Sequence, residues 1–245
     1  MQTTCAMEKR IPSSLSALGR FRGFKPESEL SVREAKVETN PVLEKMKIVW
    51  RVCDDFDPDN WDNGYDKMIK RIKKIRHSAK DIEQFSLALA GYQDEKDFSD
   101  KAGFYLSALI NTSNGKEFVI HTAHLTELVN CLGFRNKKVI TVHGNVGWCV
   151  GDEMKSGTVI VDGDAGHNMG YEMRGGTITV KGNAGDAVGN YMRRGTIIVA
   201  GDTGGDIGEQ MKGGEIYLNR GHGSISEKKI IHGKIFHKEE LIFEK

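Results

Sequence analysis

Residues 143–218 consist of four copies of one nineteen-residue pattern with no insertion between them. They read "HGNVGWCVGDEMKSGTVIV", "DGDAGHNMGYEMRGGTITV", "KGNAGDAVGNYMRRGTIIV" and "AGDTGGDIGEQMKGGEIYL". Glycine fills four columns in every copy: Gly144, Gly163, Gly182, Gly201; then Gly147, Gly166, Gly185, Gly204; then Gly151, Gly170, Gly189, Gly208; then Gly157, Gly176, Gly195, Gly214. Methionine fills a fifth, with Met154, Met173, Met192 and Met211. A decayed copy keeps the register through Gly223 and Gly233, the latter followed by "KIF".

A period this short leaves little room for a helix in each unit, and it suits one coil of a parallel β-helix. Each copy ends on a strand-like piece, "TVIV", "TITV", "TIIV" or "EIYL". Side chains alternate along a strand, so Val159, Ile178, Ile197 and Ile216 point one way, together with Val161, Val180, Val199 and Leu218. A second short extended piece carries Val150, Met169, Val188 and Ile207 and then the methionine column. The expected fold is mainly β, a right-handed parallel β-helix with nineteen-residue rungs, preceded by a small α-helical N-terminal region. Glycine in a regular element costs about 0.5–1 kcal/mol relative to alanine, so the columns must sit where a side chain is worse. Those places are corners with positive φ or close contacts between rungs. The Asn145, Asp164, Asn183 and Asp202 column fits local, left-handed turns.

The repeat argues against two binding chemistries. A phosphate-cradling glycine loop is needed once, ahead of a helix, whereas G-x-x-G-x-x-x-G recurs here four times without one. Calcium-binding rolls need carboxylates in every repeat, but the Asn/Asp column alternates, and His143, Asp162, Lys181 and Ala200 share no chemistry.

Twenty-two of the 29 glycines lie from residue 144 to 233, which marks a boundary in the chain. Residues 1–45 carry few large apolar side chains and are expected to be a disordered or loosely packed tail, 46–101 a helical region, and 102–245 the β-helix with an entry rung and a C-terminal cap. Within 66–92, Met68, Ile72, Ile75, Ala79 and Ile82 fall at helical spacing. Ser78 and Asp81 form a candidate capping box that splits the stretch, with Gly91 as a stop. Residues 102–122 read as two strands around an Asn-Gly turn, and "KEELIFEK" as a piece that closes the far end.

Net charge is +1, and no run of eighteen apolar residues occurs, so neither nucleic acid nor membrane is an expected partner. Seven basic residues between 67 and 80 read as a solvated helix face, with an anionic partner as the alternative. Cys5, Cys53, Cys131 and Cys149 form no C-x-x-C pair, and the N-terminus lacks an apolar signal core. The expected location is therefore cytoplasmic, with inert thiols.

No catalytic residue and no cofactor is assigned. The metal candidates are His121, His124 and His143, three histidines near the first rung, which would make this a small metal-dependent enzyme. The candidate partner surface is the outward strand column of Ile160, Ile198 and Tyr217, with Thr179 and Phe236. It is read first as ground covered by the N-terminal helices, and second as a contact surface for another subunit or for self-association.

The G-x-x-G-x-x-x-G-x-x-M repeat followed by a G-x-I-x-V strand, over about residues 137–237, resembles the GXGXG domain family. That family includes the C-terminal domain of the large chain of glutamate synthase and one of the component chains of formylmethanofuran dehydrogenase. The resemblance implies a right-handed parallel β-helix acting as a non-catalytic accessory or scaffold module in a multi-subunit oxidoreductase, with other protein subunits as partners. The chain lacks an N-terminal cysteine nucleophile in a matching context, an iron–sulfur cysteine cluster and a flavin barrel, so those chemistries do not carry over.

Overall fold

The computed structural model describes residues 40–53 and 60–245. Its strands are β1 (Glu117–His121), β2 (Val139–His143), β3 (Thr158–Val161), β4 (Thr177–Val180), β5 (Thr196–Val199), β6 (Lys212–Leu218), β7 (His232–His237) and β8 (Glu240–Glu244). They form one sheet in sequence order, parallel from β1 to β7. The register repeats the sequence period: Val159 lies beside Ile178, Ile178 beside Ile197, and Ile197 beside Ile216. A second line of parallel bridges joins Val146, Ala165, Ala184, Thr203 and His222. The protein is a parallel β-helix, and its interior is filled with side chains. The inward strand residues and all four column methionines are buried.

Gly195 shows why a column must be glycine. Its φ is +108°, and an added Cβ would lie 2.7 Å from the Gly176 carbonyl oxygen and 2.7 Å from the Met173 methyl. Backbone conformation and the packed methionine exclude a side chain together. The Asn/Asp column departs from expectation, because those residues do not take the left-handed turns. That conformation falls to Asn168, Ala187 and Asp206 and to Glu172, Tyr191 and Gln210. The Asx side chains instead bond between rungs. Asn145 Oδ1 accepts from Asp164 N–H (2.9 Å), Asp164 from Asn183 (2.7 Å), Asn183 from Asp202 (2.8 Å), and Asp202 from Gly221 (2.9 Å). An acceptor is all this ladder requires, so Asn183→Asp should be tolerated. Asn183→Ala strands an N–H and should cost about 1 kcal/mol in a urea melt.

The helices are α1 (Pro41–Val52), α2 (Trp61–Ile72), α3 (Ala79–Ala88) and α4 (Phe98–Thr112), with a 3₁₀ turn at Leu89–Tyr92. Ser78 and Asp81 make the capping box of α3. Gly91 lies inside the 3₁₀ turn instead of ending a helix. Two boundaries move. The helical region runs over 41–112 where 46–101 was expected, so residues 41–45 belong to α1, and the solenoid starts at β1 instead of residue 102. Residues 1–39 of the expected tail lie outside the described residues. The first half of 102–122 is helix α4 and not a strand, and the bend at residues 113–114 joins helix to strand. Helix α4 buries Ala102 through Ile110 without interruption. A helix buried all round has no amphipathic period by which to recognise it.

The helices cap the first rung. A solenoid end exposes unpaired strand groups. Ser86 Oγ on α3 accepts from His121 N–H on the edge strand β1 (3.1 Å). On α4, Ser107 Oγ accepts from Gly133 N–H (2.9 Å) and Phe134 N–H (3.2 Å). Asn111 Nδ2 donates to the Phe134 carbonyl (3.0 Å). Aromatic packing seals the joint, with Tyr65 edge-on to Phe134 at 4.8 Å and Phe104 at 5.0 Å from it. At the other end β8 pairs antiparallel with β7, as the tail sequence suggests.

Candidate functional site

The strand register stacks Ile160, Thr179, Ile198, Tyr217 and Phe236 in one outward column. The Tyr217 and Phe236 rings are parallel at 4.6 Å, and the Tyr217 hydroxyl donates to Glu215 (2.9 Å). Leu241 on β8 continues the column opposite Phe236 and is 48% exposed. The expectation that the N-terminal helices cover this column fails for the described residues. Helix α3 packs on β1, and α2 packs on α4. Those helices bond to His121 N–H of the edge strand and to the loop at Gly133 and Phe134, a demand that hydrophobic patterning does not display.

The three candidate histidines do not converge on a metal. His121 and His143 are register partners with ring centroids 5.4 Å apart, yet each has its own carboxylate. His121 Nε2 lies 3.1 Å from Glu83, and His143 Nδ1 2.6 Å from Asp162. Asp162 also pairs with Lys181 at 2.6 Å. Lys181 and His143 together hold its carboxyl below the usual carboxylate range. His124 is exposed. Among the described residues no group of three or more His, Cys, Asp or Glu is placed to hold a metal ion. The column that looks chemically mixed in the sequence is a short ladder in which the Asp162 carboxylate stands between His143 and Lys181 of the neighbouring rungs, and it ends at Ala200.

Cys53, Cys131 and Cys149 are buried. The hydrogen bond with Cys149, and then burial, push the Cys131 thiol up, which opposes formation of a nucleophilic thiolate. Cys5 lies outside the described residues. No protein-family model, no curated protein and no solved structure matches this chain.

Two further features fall outside the candidates that the sequence reading names. Lys155, Arg174, Arg193 and Lys212 are exposed and occupy one column, each directly after a buried methionine. Their shared place in the repeat is the signal that could reveal them. Asp152 is 2% exposed, and its Oδ1 has no hydrogen-bond partner among the described residues. Burial, then the charges of Glu153 and Glu172, push its carboxyl up to about 8. Nothing in the residue order separates that aspartate from the solvated ones around it. No helix among the described residues is long and apolar enough to cross a membrane.

Proposed function

We propose that this chain is a non-catalytic accessory or scaffold module of a multi-subunit enzyme, an oxidoreductase of the glutamate synthase or formylmethanofuran dehydrogenase kind, working in the cytoplasm. The reading rests on the resemblance of the repeat to GXGXG domains. The observation that carries it is the outward column of Ile160, Ile198, Tyr217, Phe236 and Leu241, which the described helices leave uncovered. A largely apolar strip on a rigid sheet, interrupted by Thr179, is the kind of surface that another subunit buries. Packed methionines and aliphatic ladders fix its rungs, so the strip is preorganised and binding costs little ordering.

The test is the native mass of the tagged full chain at its endogenous level, with the identity of any stoichiometric companion. The reading expects a companion that carries flavin, iron–sulfur or metal chemistry, released by Ile198→Asp together with Tyr217→Asp. A chain that migrates alone, or a companion indifferent to those substitutions, would overturn it.

A further inference from the structure

The column of Lys155, Arg174, Arg193 and Lys212 follows a rule opposite to that of the ladder at His143. There an acid, Asp162, stands between His143 and Lys181; here no acid interrupts the column. Main-chain bonds hold these residues in line: Arg174 N–H donates to the Met154 carbonyl (2.8 Å), Arg193 to Met173 (2.8 Å) and Lys212 to Met192 (2.7 Å). Neighbouring rungs are about 4.8 Å apart, so like charges stack at a spacing where each repels the next. Arg194 adds a fifth cation in the third copy.

The carboxylates that could neutralise this stripe run out along it. Glu153 binds Arg174 at 3.0 Å and is shared with Arg135 at 3.1 Å. Glu172 reaches Arg193 at 3.2 Å and Arg174 at 3.7 Å. In the next two copies that column becomes Tyr191 and Gln210. Glu209, the nearby acid that remains, is taken by Lys229 at 2.6 Å. Lys155, Arg194 and Lys212 have no carboxylate partner among the described residues. Arg174, Arg193, Arg194 and Lys212 line one shallow hollow of about 400 Å³ with no acidic residue in its wall. Glu153 and Glu172 offset the charge of Arg174 and Arg193, whereas Lys155, Arg194 and Lys212 bear their repulsion without a carboxylate beside them.

We propose that this hollow is a docking groove for an acidic helix of a partner polypeptide, one that presents a carboxylate on each turn of the face it offers. The spacing selects the occupant. Two rung steps, from Arg174 to Lys212, cover about 10 Å, and two helical turns about 11 Å, a mismatch that long Lys and Arg side chains absorb. An extended acidic strand instead repeats its same-face carboxylates about every 6.8 Å and falls out of step within two rungs. Guanidinium groups supply planar, two-pronged contacts to carboxylates, which suits a hollow with three arginines. The groove is separate from the outward apolar column and stands whether or not a subunit binds there.

The experiment uses the full chain and fluorescence anisotropy. The probe is a labelled, four-turn, helix-forming peptide with one glutamate per turn on one face. A peptide of the same composition broken by prolines and a single-stranded oligothymidylate serve as comparisons. The helical peptide should bind saturably, weaken as salt rises, and lose about tenfold or more in affinity with Arg194→Glu and Lys212→Glu together. Both substituted residues are exposed. A lysine-for-glutamate version of the peptide should bind the doubly substituted protein better than the original protein, which separates charge recognition from damage to the fold. The proposal is overturned if the helical peptide fails to bind, or if its binding survives the two substitutions. It is equally overturned if the proline-broken peptide or the oligothymidylate binds as tightly as the helix.

Discussion

Gly103→Ala will destabilise the protein by about 3 kcal/mol or more, although the substitution adds one methyl group and alanine is the better helix former. Gly103 lies inside α4, where the helix crosses the first loop of the solenoid. A Cβ there would collide with the Asn130 carbonyl oxygen, stand 2.7 Å from its carbonyl carbon and 3.1 Å from Leu132 N. These are backbone atoms and cannot rotate away. They are also fixed from both sides. Asn130 N–H donates to the Ser99 carbonyl (3.0 Å), its side-chain amide to Asp100 (2.9 Å), and its Oδ1 accepts from Trp148 N–H (3.2 Å). One turn further along α4, Ser107 donates to the Gly103 carbonyl (2.7 Å) while accepting the two loop N–H groups described above. Pushing the helix out by a methyl radius lengthens all of these bonds at once and opens the aromatic joint beneath. A chain of this size should melt about 6–12 °C lower. Gly91→Ala is the matched control. Nothing lies within 4 Å of a Cβ at that position, and its φ is ordinary. It should leave stability unchanged or raise it by up to about 1 kcal/mol through the unfolded chain. Equal melting temperatures for the two variants would mean that helix and solenoid are not locked at Asn130.

The contrast between those glycines marks what can be read from the residues. The repeat is legible because each column answers to one geometric demand repeated at fixed spacing. Glycine is required where Gly195 turns a corner against a methionine, and β-branched residues where strands stack inward. Gly103 belongs to no column. Its demand comes from a contact with Asn130, twenty-seven positions away in the chain, which no local pattern encodes. Helix α4 looks like a strand for a related reason, since burial on all sides erases the polar face that identifies a helix. The histidines are legible as neighbours and illegible as ion-pair partners, because Glu83 and Asp162 reach them only once the rungs are stacked. The outward column is visible as a column. What covers it is not, because the helices bond to His121 N–H of β1 and to the first loop at Gly133 and Phe134, a need set by sheet topology.

Asp152→Asn should stabilise the protein, and by more as the pH rises. The Asp152 carboxyl is buried, unpartnered at Oδ1 among the described residues and close to the carboxylates of Glu153 and Glu172, so the folded state holds its proton up to about 8 against a value of 3.8 when solvated. The folded pKa is raised, so the sign is opposite to that of an ion-paired acid. Below about 3.8 the group is protonated in both states and contributes no pH dependence. Between 3.8 and about 8 the unfolded chain releases a proton that the folded chain keeps, and each pH unit favours unfolding by about 1.4 kcal/mol. Above about 8 both states are ionised, and the penalty levels off at of order 5 kcal/mol. Asparagine keeps the shape and cannot ionise. Urea unfolding at a series of pH values should therefore give curves that converge in acid and diverge towards pH 8, with wild type the less stable. Parallel curves for the two proteins across that window would show that the carboxyl ionises freely where it stands. The position matters for assembly as well as stability. Asp152 adjoins Glu153, the residue that ties Arg135 of the first loop to Arg174 of the cationic stripe. A negative charge forced into this rung at high pH pushes on Glu153 and on the pairs that it holds, so loosening should begin where the helical cap meets the solenoid.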